Sequence, residues 1–148
     1  MAVYFLYHID PWSGIPIDRS MADEILGGIF EYKQVIIEPT GEVKSSVLGY
    51  PLVLRSLEEA KVHPDLVNLK WVYFHSQAKK TLQEYEHPED NVIYCIGSDT
   101  TGLSGGPEDF DGDVLRLGNR EFHAASILPL VAYDRALKIW QRQLSHTT

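Results

Sequence analysis

Residues 92–103 read Val-Ile-Tyr-Cys-Ile-Gly-Ser-Asp-Thr-Thr-Gly-Leu, and the reading of the whole chain turns on them. The apolar run Val92 to Ile96 stops at Gly97. Small and hydroxyl residues follow, with one acid (Asp99) and further glycines at 102, 105 and 106. A short apolar run that barely alternates is a strand buried on both faces. Glycine at its end permits positive φ and lets a ligand come close to the backbone. In open α/β sheets ligands bind outside the carboxyl ends of the strands, where this loop falls. On composition alone a plain glycine-rich connection is the simpler account. The spacing is neither G-x-G-x-x-G nor G-x-x-x-x-G-K-[ST] and no lysine follows, so dinucleotide and P-loop readings have little support.

Outward from this stretch, strands alternate with helical patterns. Val3 to Ile9 reads as a doubly buried strand, broken by "DPWSGIP". A helix is predicted from about Asp18 to Phe30, with Asp18 as its cap and Gly27-Gly28 weakening its end. "KQVIIEP" is a second strand, residues 52–61 look helical, and "LKWVYFHS" is a third strand. "QAKKTLQEYEH" (77–87) reads as a helix, "NVIYCIG" as the fourth strand, "DVLRLG" as a short fifth, and Glu121 to Gln143 as a long helix despite Pro129. This order predicts an α/β fold with a mostly parallel sheet flanked by helices. At 148 residues, without repeats or linkers, one domain over 1–148 is expected.

Thirteen basic against 21 acidic residues leave a net charge of −8, which argues against extended nucleic-acid binding and against a DNA partner. Lys79-Lys80 is the one adjacent basic pair, and Arg135, Lys138 and Arg142 share a helical stripe that reads as a solvated face. A dimer can still gather a local basic patch. No apolar run approaches the ~20 residues of a membrane helix, and "MAVYFLYHID" lacks the features of a signal peptide. The single cysteine, Cys95, allows neither a disulfide nor a cysteine-rich metal site within one chain and reads as a buried bystander. A soluble, cytoplasmic protein without membrane contact is expected. His63, His75 and His87 lack ligand-like spacing, and "EDFDGD" lacks the ligand order of an EF-hand, so no metal site is expected and the acids read as a solvated loop.

Read together with its flanks, "VIYCIGSDTTGL" resembles the second motif of the SPOUT (α/β trefoil-knot) RNA methyltransferases, an apolar strand, G-x-E, two residues and G-L, with Asp99 where that family usually has Glu. "DVLRLG" is similar to the short strand that follows in the family, and "EFHAASILPLVAYDRALKIW" to its third motif. Counting back from Tyr133-Asp134 puts Glu121, Phe122 and His123 where that motif has Ser, Leu and Asn. "SGIPIDRSMADEI" places Arg19 where the first motif has an arginine, with Ser13 where Asn is usual. The resemblance, closest to the small SpoU-type 2′-O-methyltransferases, runs in order over nearly the whole chain.

It implies a deep trefoil knot in the C-terminal half and a homodimer, with the last helix and parts of the first packing across a twofold axis. It also implies S-adenosylmethionine as cofactor, held by Phe74-His75, by Ile96-Gly97, and by Leu115 to Leu117 running on to Glu121-Phe122. The activity implied is transfer of a methyl group to RNA, in particular to a ribose 2′-oxygen of tRNA, with Arg19, Asp99 and His123 as candidate catalytic residues. Such a transfer needs a base, or an arginine that lowers the hydroxyl's pKa, and cations to hold phosphate. Each candidate has a plainer role open to it. Arg19 can pair with Asp18 or Asp23, Asp99 can bond its own loop, and His123 can simply open a helix. Glu121 sets a carboxylate beside the cofactor. Two readings stand: an RNA methyltransferase, or a catalytically silent dimeric knot protein that binds or regulates. An unrelated flavodoxin-like binder is a third.

Overall fold

Apolar strands that do not alternate must be covered on both faces, and the chain achieves this with a parallel sheet between helices. The structure, a computed structural model, describes residues 2–8, 18–39, 51–96, 110–118 and 124–147. Among these are β1 (Val3–His8), β2 (Lys33–Ile37), β3 (Leu52–Leu54), β4 (Lys70–Phe74), β5 (Lys80–Thr81), β6 (Val92–Cys95) and β7 (Asp113–Arg116). They form one 7-stranded sheet in the order β3-β2-β1-β6-β4-β7-β5, parallel at every pairing. The predicted α/β class holds, with a sheet that is wholly parallel. The expected knot falls on residues 97–109 and 119–123, which lie outside the described residues.

Phe5, Tyr7, Ile36, Val72 and Tyr94 face one side of the sheet, beneath Leu26 and beneath Leu128 and Val131 of α3 (Ala124–Thr147). Leu6, Val35, Tyr73, Ile93 and Cys95 face the other, beneath Leu66 and Ala60 of α2 (Leu57–Val62). Asp18 caps α1 (Arg19–Ala22) as its sequence position suggests, its Oδ1 accepting from Met21 N at 3.1 Å. α1 then widens into a π-helical turn, Asp23–Ile29, which contains Gly27-Gly28 and ends on a bond from Phe30 N to Ile25 O at 3.2 Å.

Four expectations are corrected. Residues 52–61 are a strand followed by a helix: Leu52 to Leu54 pair with Val35 to Ile37, and Ser56 then caps α2 by accepting from Glu59 N. Residues 77–87 form turns and the two-residue β5, with no helix. Ala78, Leu82 and Tyr85, whose spacing imitates a helix, are buried all the same. The stripe Arg135, Lys138 and Arg142 is a clasp rather than a solvated face. Arg135 donates to Pro88 O, to Glu89 O at 2.7 Å and to Tyr94 Oη at 3.0 Å. Lys138 donates to Leu82 O at 2.6 Å and Tyr85 O at 3.1 Å, and Arg142 to His87 O at 2.6 Å. α3 thus holds the β5–β6 connection by its carbonyls. The fourth is corrected in part: the Asp111 side chain of "EDFDGD" stays 69% exposed, as in a solvated loop, but both described acids are tethered. Asp111 accepts from Lys61 at 2.7 Å and Tyr73 Oη at 2.6 Å, and Asp113 from Tyr85 Oη at 2.7 Å. Between them Gly112 lies so close to β4 that a Cβ there would stand 2.2 Å from Trp71 O.

His87 sits at the centre of the clasp, almost wholly buried. Its Nε2 lies 2.7 Å from Asp134 Oδ2 and its Nδ1 2.7 Å from Tyr94 Oη. This suits a neutral ring that donates to the carboxylate and accepts from the phenol. Burial pushes its pKa from 6.5 down to about 4, Asp134 pulling it back only in part. The unfolded chain therefore binds a proton that the fold refuses. The contribution is complete above pH 6.5 and is lost as pH falls to about 4, about 3 kcal/mol in all. Urea midpoints of the wild type should fall between pH 7 and pH 5, and this component of the slope should be absent in His87→Asn.

Candidate active site

From β1 the chain runs outward to β2 and β3, while β6, β4, β7 and β5 lie on the other side. The carboxyl ends of β1 and β6 adjoin at this switch point, the place where an open α/β sheet receives its ligand. Ile96 N donates to Leu6 O at 2.8 Å, and His8 Nδ1 lies 3.4 Å from Ile96 O. The sequence-predicted cofactor residues that are described gather at this end of the sheet. Phe74 pairs with Leu115, and His75 N donates to Leu115 O at 2.9 Å. Phe74, Ile96 and Leu115 belong to one apolar cluster, and Leu117 packs against it. The N–H groups of His75 and Ile96 are committed to the sheet, so these residues offer a flat ligand apolar surface. The His75 side chain turns back on its own loop, Nδ1 accepting from Gln77 N at 3.1 Å.

Arg19 stands at the first position of α1, against β1 and β2. Its Nη1 donates to Tyr7 Oη and to Gln34 Oε1, the latter at 3.2 Å. Tyr7 Oη donates to Gln34 Oε1 at 2.7 Å, and Gln34 Nε2 to Asp23 Oδ1 at 2.9 Å. The simple pairing of Arg19 with Asp18 or Asp23 is therefore replaced: Asp18 caps the helix, and Asp23 is reached through Gln34. Burial holds the Tyr7 hydroxyl well above the ordinary phenol range, against the pull of Arg19, so it keeps its proton and donates. The Nε and Nη2 of Arg19 are buried and have no hydrogen-bond partner among the described residues. Two such donors are a desolvation cost that a fold ordinarily avoids.

Gly97, Asp99, Glu121, Phe122 and His123 lie outside the described residues, as does Ser13. The sequence reading missed Tyr7 and Gln34. The signal for Gln34 was present, since it is the one polar residue inside the run "QVII" and it pairs with Phe5 on the face that α1 covers. Among the described residues no three His, Cys, Asp or Glu side chains gather as a metal ion requires, and no helix is long and apolar enough to cross a membrane.

No family profile matches the chain, and no curated protein matches it in sequence. Solved structures do match. One, from Bacillus anthracis and described provisionally as an RNA methyltransferase, superposes with a TM-score of 0.64 at 14% identity, over 90% of each chain. Another, from work on 2-OH methylation of C/U34 on tRNA, superposes with a TM-score of 0.63 at 16% identity, over 95% of this chain and 97% of that one. The superpositions show the fold: over nearly its whole length the chain shares the α/β fold of these two structures.

Proposed function

We propose that this chain is an S-adenosylmethionine-dependent RNA methyltransferase that acts, as a homodimer, on a ribose 2′-oxygen of tRNA. The observation that carries the reading is the buried Nε–Nη2 edge of Arg19, unpartnered among the described residues, in a chain whose Phe74, Ile96, Leu115 and Leu117 form an apolar cluster at the strand ends. A guanidinium edge of this kind suits two oxygens of a phosphate. It also stabilises charge on a ribose oxygen as its proton leaves. The apolar cluster suits an adenine ring. When bound, S-adenosylmethionine supplies an electrophilic methyl group on a sulfonium. The chain's own part is to hold the acceptor and exclude water.

The homodimer rests on α3. Leu130, Tyr133, Trp140 and Leu144 fall on one side of the helix and are between 47% and 62% exposed, an apolar stripe of the sort that a twofold partner covers. Sedimentation should show a dimer for the wild type and a monomer for Trp140→Glu. A wild-type monomer would remove the dimer from the proposal.

A second reading, a silent binding or regulatory protein, is favoured by the charge. The net charge is −8, and the basic stripe of α3 is spent on backbone carbonyls rather than left for RNA. Calorimetric titration with S-adenosylmethionine and S-adenosylhomocysteine, followed by transfer of labelled methyl to tRNA, separates the two. Micromolar binding and transfer are expected. A folded protein that binds neither ligand at millimolar concentration would overturn the enzyme reading and leave the second.

A further inference from the structure

Arg19 carries more polar surface into the protein than its surroundings satisfy, and the satisfied part lies all at one nitrogen. Nη1 is bonded to both Tyr7 Oη and Gln34 Oε1, while Nε and Nη2 have no partner among the described residues. The acceptors come from different strands, Tyr7 from β1 and Gln34 from β2, whose register is fixed along five residue pairs. Tyr7 is fully buried and Gln34 nearly so. Gln34 is in turn held through Nε2 by Asp23, one turn beyond Arg19. The guanidinium carbon lies 5.8 Å from the centre of the Tyr7 ring, close enough for that ring's face to favour the charge. A side chain with several rotatable bonds is thus fixed at one corner by rigid sheet residues, and the opposite edge is buried without a hydrogen-bond partner among the described residues.

We infer that Tyr7 is a positioning residue: its hydroxyl anchors Nη1 of Arg19 so that the Nε–Nη2 edge is held ready for an anionic group of the RNA. The inference rests on the methyltransferase reading for the identity of that group, but the anchoring is a property of this chain alone. Planar bidentate recognition needs the fork preset, and a displacement of about 1 Å can cost about a hundredfold in rate. Tyr7→Phe keeps the buried ring and deletes only the anchor. Gln34 Oε1 then remains as the single acceptor for Nη1, which leaves the edge free to swing.

The test uses full-length protein labelled with nitrogen-15 arginine, with the Arg19 signals assigned by comparison with Arg19→Lys. In the wild type, hindered rotation should give separate Nη proton signals for Arg19, a measurement that needs no variant to fold. In Tyr7→Phe those signals should merge, and kcat on tRNA should fall about tenfold to a hundredfold at unchanged KM for S-adenosylmethionine. Merged signals in the wild type, or an unaltered Arg19 spectrum in Tyr7→Phe, would overturn the inference whatever the activity. If the spectra behave as expected but the wild type methylates no RNA, the methyltransferase reading fails and the anchoring by Tyr7 stands.

Discussion

Arg135→Ala is expected to lower stability by about 3 to 5 kcal/mol, the range seen when one partner of a buried charged network is removed. The side chain is only 3% exposed. It gives up bonds to Pro88 O, Glu89 O and Tyr94 Oη together, and its guanidinium also lies 5.9 Å from the ring centres of both Tyr32 and Tyr94. Alanine leaves those carbonyls facing a gap. Water entering the gap recovers some of the loss, so the lower end of the range is the better expectation. Arg142 makes one bond, to His87 O, from a half-buried position, and Arg142→Ala should cost about 1 kcal/mol. The comparison is decided by urea unfolding followed by circular dichroism. Equal, small losses in both variants would mean that the stripe is not structural and is free for phosphate.

The same clasp explains what the sequence concealed. Residues 77–87 carry Ala78, Leu82 and Tyr85 at helical spacing, and a helix would bond its own carbonyls. Here the carbonyls of Leu82, Tyr85 and His87 are satisfied instead by Lys138 and Arg142, more than 50 residues further along the chain. No local pattern records that exchange. Leu52-Val53-Leu54 is misleading for a related reason: three apolar residues fit a helix or a strand, and only pairing with Val35 to Ile37 decides between them. By contrast β1, β2, β4 and β6 were legible, because strands covered on both faces leave an unbroken apolar run. The long last helix was legible too, reaching Thr147 with Pro129 inside it. At the candidate site, motif order names Arg19 and the apolar strand ends. Motif order does not record the contact of Tyr7 with Gln34, which depends on the β1–β2 register.

Arg19→Ala should separate function from stability. Methyl transfer is expected to fall about 10²–10³-fold, the usual loss when one preorganised donor to developing charge is removed, with affinity for S-adenosylmethionine unchanged because the proposed cofactor residues that are described lie at the ends of β4, β6 and β7. Stability should hardly move. The variant loses the bonds to Tyr7 and Gln34 but also discharges two buried donors that have no partner, and these effects, each about 1 to 3 kcal/mol, oppose one another. Tyr7 and Gln34 still bond to each other at 2.7 Å, so neither is orphaned. Arg19→Lys keeps the charge but not the planar fork, and should restore less than about a tenth of the lost rate. A purely structural arginine would show the reverse: a fall in unfolding free energy of several kcal/mol with transfer intact. The bare edge of Arg19 is a cost to the fold, and such a cost is expected where a chain keeps a group ready for its ligand rather than for itself.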